Sequence, residues 1–495
     1  MRNMLMALVV LWGALIAAQS PTQPPVTWDE TSLRDWATPI AALGVRPGHF
    51  SAEEYHRAPV DNLRTYPVYY PGREPAGYWE MLQSVGPKPL IEPTGLKSDA
   101  DWVRTGQRVF DEYDISEFRV FDSKIHAFAR SPEGFAKSAV QPRADGTLAD
   151  LRWIPTSKGL AIGLANCAAC HTRAMPDGSL LRGAPANEVP APLGRFGMGR
   201  WGASPVELAG DTPAMTVWRS WAAPWIQDDI HASLKTMKSG QIGPLFGAAA
   251  APGLFPRWNG SAYYPTKIPD LIGVKDRKYI DHTATHQHRG AGDMMRYAAL
   301  VSFSDSSDFG PHRLLTDEQR HVRFRASDET LYALTMFIYS LQPPPNPYAN
   351  NPNIAAGARV FNREGCGVCH TPPLYTSNRL TLAVGFSPPP DHFEFLDIMR
   401  VSVGTDPSLA LKTRKGTGYY KVPSLKGVWY RGRYLHDGSL TTLEEMFHPA
   451  RLRDDYIPTG FRLPGQNTRA VPGHTFGMKL GESERAALVD FLRSL

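Results

Sequence analysis

Only four cysteines occur in this 495-residue chain, and they fall in two pairs, each followed at once by a histidine: Cys167-Ala-Ala-Cys170-His171 and Cys366-Gly-Val-Cys369-His370. Two thiols one helical turn apart can add to the two vinyl groups of one porphyrin, and the adjacent imidazole then lies under the iron. The pattern predicts two covalently attached c-type haems. Cys167, Cys170, Cys366 and Cys369 would carry them, with His171 and His370 as proximal ligands. A thioredoxin-like redox pair would leave both histidines as coincidences. Zinc fits poorly, because the motifs lie 199 residues apart and neither has a second C-x-x-C.

The chain is too long for one ordinary core. Its 44 prolines and 43 glycines predict many loops around short elements. A positive start at Arg2, an almost wholly apolar run from Met4 to Ala18 and the small pair Ala17-Ala18 read as a signal peptide over residues 1–20. The expected location is periplasmic or secreted. No later segment reaches the ~18 consecutive apolar residues of a membrane helix, so no span is expected in the mature chain. The net charge of +5 contains no basic run, and no nucleic-acid module is present. Four haem propionates would bring the mature protein near neutrality.

The two halves repeat. Thr105-Gly-Gln-Arg-Val-Phe110 resembles Ala355-Ala-Gly-Ala-Arg-Val-Phe361, each a helix leading to a cysteine pair. Ser327 to Leu341 matches the closing amphipathic helix Glu482 to Leu495, with its stripe of Leu488, Phe491, Leu492 and Leu495. Ile268-Pro-Asp-Leu-Ile-Gly-Val274 matches Val422-Pro-Ser-Leu-Lys-Gly-Val428. Pro269 to Leu334 and Pro423 to Leu488 both span 65 residues, so the repeat holds a constant offset of 154. The predicted fold is mainly α: two tandem cytochrome c-type domains with long loop insertions and an N-terminal arm. The expected boundaries are an arm over 21–97, a first domain over 98–345 and a second over 346–495, joined at Pro343-Pro-Pro-Asn-Pro347. The arm reads as structural wrapping of the first domain.

The block Val422-Pro-Ser-Leu-Lys-Gly-Val, Arg433-Tyr-Leu-His436-Asp437-Gly438-Ser, Leu443-Glu444-Glu445, together with the two haem motifs, resembles the di-haem cytochrome c peroxidase and MauG superfamily over roughly residues 60 to 495. The arm and the long first-domain insertion look most like its rubber-oxygenase branch. The resemblance implies an oxidoreductase in which one haem (haem 2) relays electrons and the other (haem 1) meets peroxide or dioxygen through an open position. It also implies a redox partner, a small cytochrome or cupredoxin, and a small-molecule oxidant or substrate. The alternative is a non-enzymatic electron carrier with both irons six-coordinate.

For the sixth ligand of haem 2 the first choice is His474, in Pro-Gly-His474-Thr-Phe-Gly; Met478 is the runner-up, followed by Met446 and His448. The 154 offset puts Arg320 and Phe324 opposite His474 and Met478, so haem 1 is expected to stay open unless His321 restores a ligand. The resemblance places a proton-transferring glutamate seven residues after the aspartate of the His-Asp-Gly block. Counting from Asp281 reaches His288, which becomes the candidate catalytic residue, since imidazole shuttles protons near neutral pH. His282 and His286 are its neighbours, and His282-Thr-Ala-Thr-His286-Gln-His288 also suggests a metal site. Asp281, His436 and Asp437 are expected to support the haems without ligating iron. Trp218, Trp221 and Trp225 read as core packing or as an aromatic relay between haems.

Overall fold

The computed structural model describes residues 23–115, 119–135, 142–163, 166–187, 223–226, 230–249, 251–255, 262–303, 309–312 and 324–495. The expected signal peptide, Trp218, Trp221, Arg320 and His321 lie outside them. Among the described residues no helix is long and apolar enough to cross a membrane.

Five helices organise the chain: α1 (Asp99–Glu112), α2 (Ala291–Phe303), α3 (Asp328–Ser340), α4 (Ile354–Arg363) and α5 (Glu482–Arg493). α1 opens on a capping box, in which Ser98 accepts from the Asp101 amide and Asp101 accepts from the Ser98 amide. In each half the helix leading to the cysteines crosses the closing helix on a glycine. A Cβ on Gly106 would stand 1.8 Å from the Ala333 carbonyl oxygen and 2.7 Å from Phe337 Cβ. One on Gly357 would stand 2.0 Å from the Ala487 oxygen and 2.5 Å from Phe491 Cβ. Beside each crossing an aromatic pair tilts alike: Phe110–Phe337 at 5.3 Å and 58°, and Phe361–Phe491 at 5.2 Å and 60°. Only hydrogen fits where two helix backbones approach this closely.

The repeat continues in the backbone between these helices. At the 154 offset, left-handed φ recurs at Gly273 and Gly427 (71° and 74°), at Asp281 and Leu435 (76° and 64°), and at Ala284 and Gly438 (54° and 65°). The turn they form closes by pairing Ile280 with His286 in one half and Tyr434 with Leu440 in the other. This register corrects the sequence reckoning. His282 stands opposite His436, and Thr283, not Asp281, stands opposite Asp437. Counting seven from Thr283 reaches Gly290 rather than His288. The halves then meet reciprocally: the Lys267 amide donates to the His436 carbonyl (2.8 Å), and the Lys421 amide donates to the His282 carbonyl (3.0 Å). Each donor and each acceptor is the repeat counterpart of the other, so the contact is pseudo-two-fold.

The arm contributes to the first core directly. Trp28, Trp36, Tyr55, Leu90 and Ile91 pack in one cluster with Phe110, Met295 and Phe337. Trp28 stacks on Tyr55 at 4.9 Å, and its indole donates to the Phe50 carbonyl (2.9 Å). The insertion before Cys167 is not a plain loop, as a mainly α reading implies. Strand β1 (Tyr66–Tyr69) pairs antiparallel with β2 (Thr147–Thr156), which pairs with β3 (Gly159–Gly163). Val68, Leu148, Leu151, Trp153 and Ile162 bury a second small core on this sheet, each large side chain contributing about 1.5–3 kcal/mol. β3 leads within a few residues to the first cysteine pair.

Candidate functional site

In the second half, Gly365 turns in the left-handed region (φ 73°) at the end of α4 and starts a single tight turn over Cys366–Val368. The His370 amide closes it on the Cys366 carbonyl (2.9 Å). Nδ1 of His370 faces the carbonyls of Pro423 (3.1 Å) and Tyr375 (3.2 Å). Both can only accept, so Nδ1 carries the proton and Nε2 keeps the lone pair.

His474 comes to the same place from the far end of the chain. Its loop needs Gly473, whose φ is 78° and whose Cβ would sit 2.2 Å from the Gly404 carbonyl carbon and the Thr405 nitrogen. His474 itself has φ 47°, and its amide donates to the Val403 carbonyl (2.6 Å). Arg451, fully buried, grips this loop: its guanidinium donates to the carbonyls of Val471, Gly473 (2.7 Å), His474 (2.9 Å) and Met446 (3.1 Å). Among the described residues no carboxylate lies within ion-pair distance of it. Burial lowers its pKa to about 10.

The imidazole rings of His370 and His474 lie 6.3 Å apart, centre to centre, at 56°. Two imidazoles bound to opposite faces of one metal, each at about 2.0–2.1 Å, would place their ring centres about 6 Å apart. Burial lowers both imidazole pKa values, that of His474 to about 4, with His370 and Arg451 adding to it. Both are therefore neutral at physiological pH, the form that ligates metal. The other candidates are placed differently. His448 caps the turn over Pro449–Leu452, its Nδ1 accepting from the Ala450 amide (3.2 Å). Met446 packs in the core with Val471 and Leu480, and Met478 is buried nearby.

In the first half, Asn166 caps the short helix Cys167–Cys170 by accepting from the Ala169 amide (2.8 Å). The His171 amide donates to the Cys167 carbonyl (3.0 Å). The amides of Gly183 and Ala186 fasten the motif to the following hairpin through the carbonyls of His171 (2.7 Å) and Cys170 (3.0 Å). Burial pushes the Cys167 thiol up to about 12 and the Cys366 thiol up to about 11. These are the reverse of the low-pKa thiols of a dithiol redox motif. The four cysteines are half-buried and not bridged, and two free thiols one turn apart beside a histidine fit a covalent porphyrin site.

The histidine cluster does not converge. His282 Nε2 meets the Lys267 carbonyl (2.9 Å), His286 Nδ1 meets Thr285 Oγ1 (3.0 Å), and His288 lies between the Arg277 carbonyl (2.7 Å) and the Tyr339 hydroxyl (2.6 Å). Among the described residues no three His, Cys, Asp or Glu side chains form a metal-sized group. Both ring nitrogens of His288 thus face protein partners, and through Tyr339 they tie the turn to α3. Asp281 accepts from the His282 amide (2.9 Å) and the Tyr297 hydroxyl (3.1 Å). His436 stacks on Tyr420 at 4.4 Å. Asp437 accepts from Arg469 (3.0 Å) and the Ser439 amide (3.1 Å). Burial opposes its charge, but His436 and Arg469 outweigh that and hold its pKa below the usual value. Trp225 stacks on Phe309 at 4.9 Å. Phe324, opposite Met478, packs against the first core.

Three residues escaped sequence reasoning. Arg451 is one. Met399 places its sulfur 3.9 Å from Cys369 Sγ. His49, from the arm, packs against Trp36 (5.1 Å) and His286 (6.1 Å), with both ring nitrogens buried and no hydrogen-bond partner among the described residues. Burial, with Lys415, lowers its pKa to about 3. No motif or spacing marks any of the three.

The solved folds that resemble this chain include di-haem peroxidase and MauG-like proteins. In particular they include the di-haem peroxidase BthA from Burkholderia thailandensis (17% identity, 50% of this chain and 78% of that one, TM-score 0.25). A MauG-like protein associated with microbial copper homeostasis is another (19% identity, 34% and 56%, TM-score 0.21). The hydrazine synthase of Kuenenia stuttgartiensis is a third (15% identity, 50% and 79%, TM-score 0.29). No family model and no curated protein matches the sequence.

Proposed function

We propose that the chain is a di-haem c-type cytochrome oxidoreductase of the peroxidase and MauG superfamily, on its rubber-oxygenase-like side. The observation that carries this reading is the 6.3 Å spacing of the His370 and His474 rings beside the Cys366–Cys369 turn. In this reading Cys167 with Cys170, and Cys366 with Cys369, would hold the two porphyrins by thioether bonds. His171 would ligate the first iron, and His370 with His474 would ligate the second. An iron closed by two imidazoles supplies outer-sphere electron transfer, and one with an open position supplies peroxide or dioxygen chemistry.

The protein's own groups do the positioning. The Pro423 and Tyr375 carbonyls hold the His370 Nδ1 proton, which fixes the ring and raises the basicity of Nε2. Arg451 ties the His474 loop, through the carbonyls of Val471, Gly473 and His474, to that of Met446. The Asp437–Arg469 pair fixes the turn that joins the halves. The arm, packed into the first core through Trp28 and Trp36, supports the rubber-oxygenase-like placement. The apolar leader supports a location outside the cytoplasm, with electrons delivered by a small cytochrome or cupredoxin.

Electron paramagnetic resonance of the oxidised protein tests this. The expected spectrum contains one low-spin and one high-spin iron. His474→Gly is expected to turn the low-spin signal high-spin, and added imidazole to restore it. A low-spin signal unchanged in His474→Gly would exclude that ligand. Two low-spin irons in the unsubstituted protein would instead indicate the electron carrier.

A further inference from the structure

Between the halves lies a cavity of about 60 Å³ whose lining obeys the repeat. Lys267 and Lys421, Pro269 and Pro423, and Arg277 and Arg431 all line it, and each pair is separated by 154 residues. The reciprocal Lys267–His436 and Lys421–His282 backbone bonds flank it, so it straddles the pseudo-two-fold relation. Its volume exceeds what a single water needs.

The chamber is strongly cationic. Four basic side chains line it, against one carboxylate, Asp270, which pairs with Arg431 (2.9 Å) and accepts from the Tyr430 hydroxyl (3.2 Å). Asp281 adds a second acid nearby, acting on Lys421 and on His282. Lys421 Nζ donates to the Tyr279 carbonyl (3.2 Å), and Lys267 Nζ lies 5.9 Å from the Tyr434 ring centre. Neither amine has an ion-pair partner among the described residues. Burial first, then neighbouring arginines, pushes both lysines down to about 7. Like charges gathered in a desolvated space are costly unless anions meet them.

We infer that this chamber is a carboxylate-binding site that takes two carboxylates, one from each half, and that they are the propionate side chains of the two haems. This rests on the di-haem reading above. Two observations choose the source. The cationic pairs are duplicated with the haem motifs, so the ligand comes in two equivalent copies. Pro423, which lines the chamber, also accepts the His370 Nδ1 proton (3.1 Å), so the chamber backs directly onto the second haem site. A free dicarboxylate offers the same chemistry, and the experiment separates the two.

The test uses the holoprotein, with two haems per chain verified by pyridine haemochrome on the same sample. Potentiometric titration is run on Lys267→Met, Lys421→Met, the double variant, and Lys158→Met as an exposed control. Removing a cation beside a propionate disfavours the reduced haem. Each single variant is expected to lower the reduction equilibrium constant of one haem about tenfold, 59 mV for a one-electron couple. The double variant should lower both, and the control neither. Lys421→Arg and Lys267→Arg keep the charge and are expected to keep the potentials. Should the methionine variants fail to fold, Lys→Gln variants are read in the same way. Unmoved potentials in a fully loaded sample, or arginine variants that shift as far as methionine ones, would overturn the inference and leave the di-haem reading intact. A sample without haem would overturn the reading itself. Calorimetry with succinate gives the other arm. No binding to the holoprotein supports propionates, and one-to-one binding abolished in the double variant would assign the chamber to a free anion.

Discussion

Arg451→Met is expected to loosen His474 without touching it. The guanidinium makes four hydrogen bonds to main-chain carbonyls, and a hydrogen bond from a charged donor contributes about 1.5–3 kcal/mol. The gross loss is therefore about 6–12 kcal/mol. Against it stands the cost of burying a cation with no carboxylate partner, several kcal/mol, which methionine removes. A net loss of about 3 kcal/mol falls mainly on the Gly473–His474 loop, two of whose carbonyls lose their donor. That is a factor of about 150 in the ratio of docked to released loop. The expected readout is a mixed low-spin and high-spin signal from the second haem, returned to low spin by added imidazole. Arg451→Lys should behave alike, because a point charge cannot span four carbonyls. An unchanged spin state in Arg451→Met, with only the unfolding midpoint lowered, would show that the arginine stabilises the domain without positioning His474.

Two stability predictions follow from packing and charge. Gly357→Ala should destabilise the second half by about 1–3 kcal/mol, since the new methyl collides with the Ala487 carbonyl and overrides a helix-propensity gain of about 1 kcal/mol. Gly247→Ala, with nothing within 4 Å of the added carbon, should be neutral or stabilising; thermal melts of the two variants check the contrast. Asp293, 2% exposed, pairs with Arg289 (2.8 Å) and with Arg296, which also reaches the arm at the Thr27 carbonyl (3.2 Å). Burial opposes its charge, but the two arginines outweigh that and hold its pKa below the usual carboxylate value. Its contribution is therefore present above the unfolded-state pKa and lost as pH falls through the lower folded value. Asp293→Asn should cost about 3–5 kcal/mol at neutral pH and flatten the acid limb of the stability profile, read by denaturant unfolding at several pH values. A variant with an unchanged acid limb would show that another group sets it.

What the sequence makes legible is what local chemistry repeats. The two cysteine–histidine motifs, the glycine-marked helix crossings and the 65-residue spacing all survive as linear patterns. His474 could be singled out because few side chains ligate iron and its loop sits at a fixed distance before α5. Arg451 could not, because its partners are carbonyls, which every residue carries. The aspartate count went astray because it left the 154 offset, which already places Asp281 opposite Leu435; the left-handed turns at Asp281 and Ala284, repeated at Leu435 and Gly438, keep that register. The β1–β2–β3 sheet was hidden because its first strand lies in the arm, some eighty residues before the other two, which lie in the insertion. His49 stands apart from every motif, and only tertiary packing brings it to Trp36 and His286.

The crossed amide bonds of Lys267 with His436 and Lys421 with His282 have the form of an isologous interface, in which residue i of one copy meets residue j of the other and the reverse. The chain thus carries within itself the contact of a homodimer. A one-domain precursor able to pair with itself would need only fusion through a proline-rich tether to give this arrangement. Once fused, each copy of the shared face was free to diverge, as Asp270 and Ser424 already have.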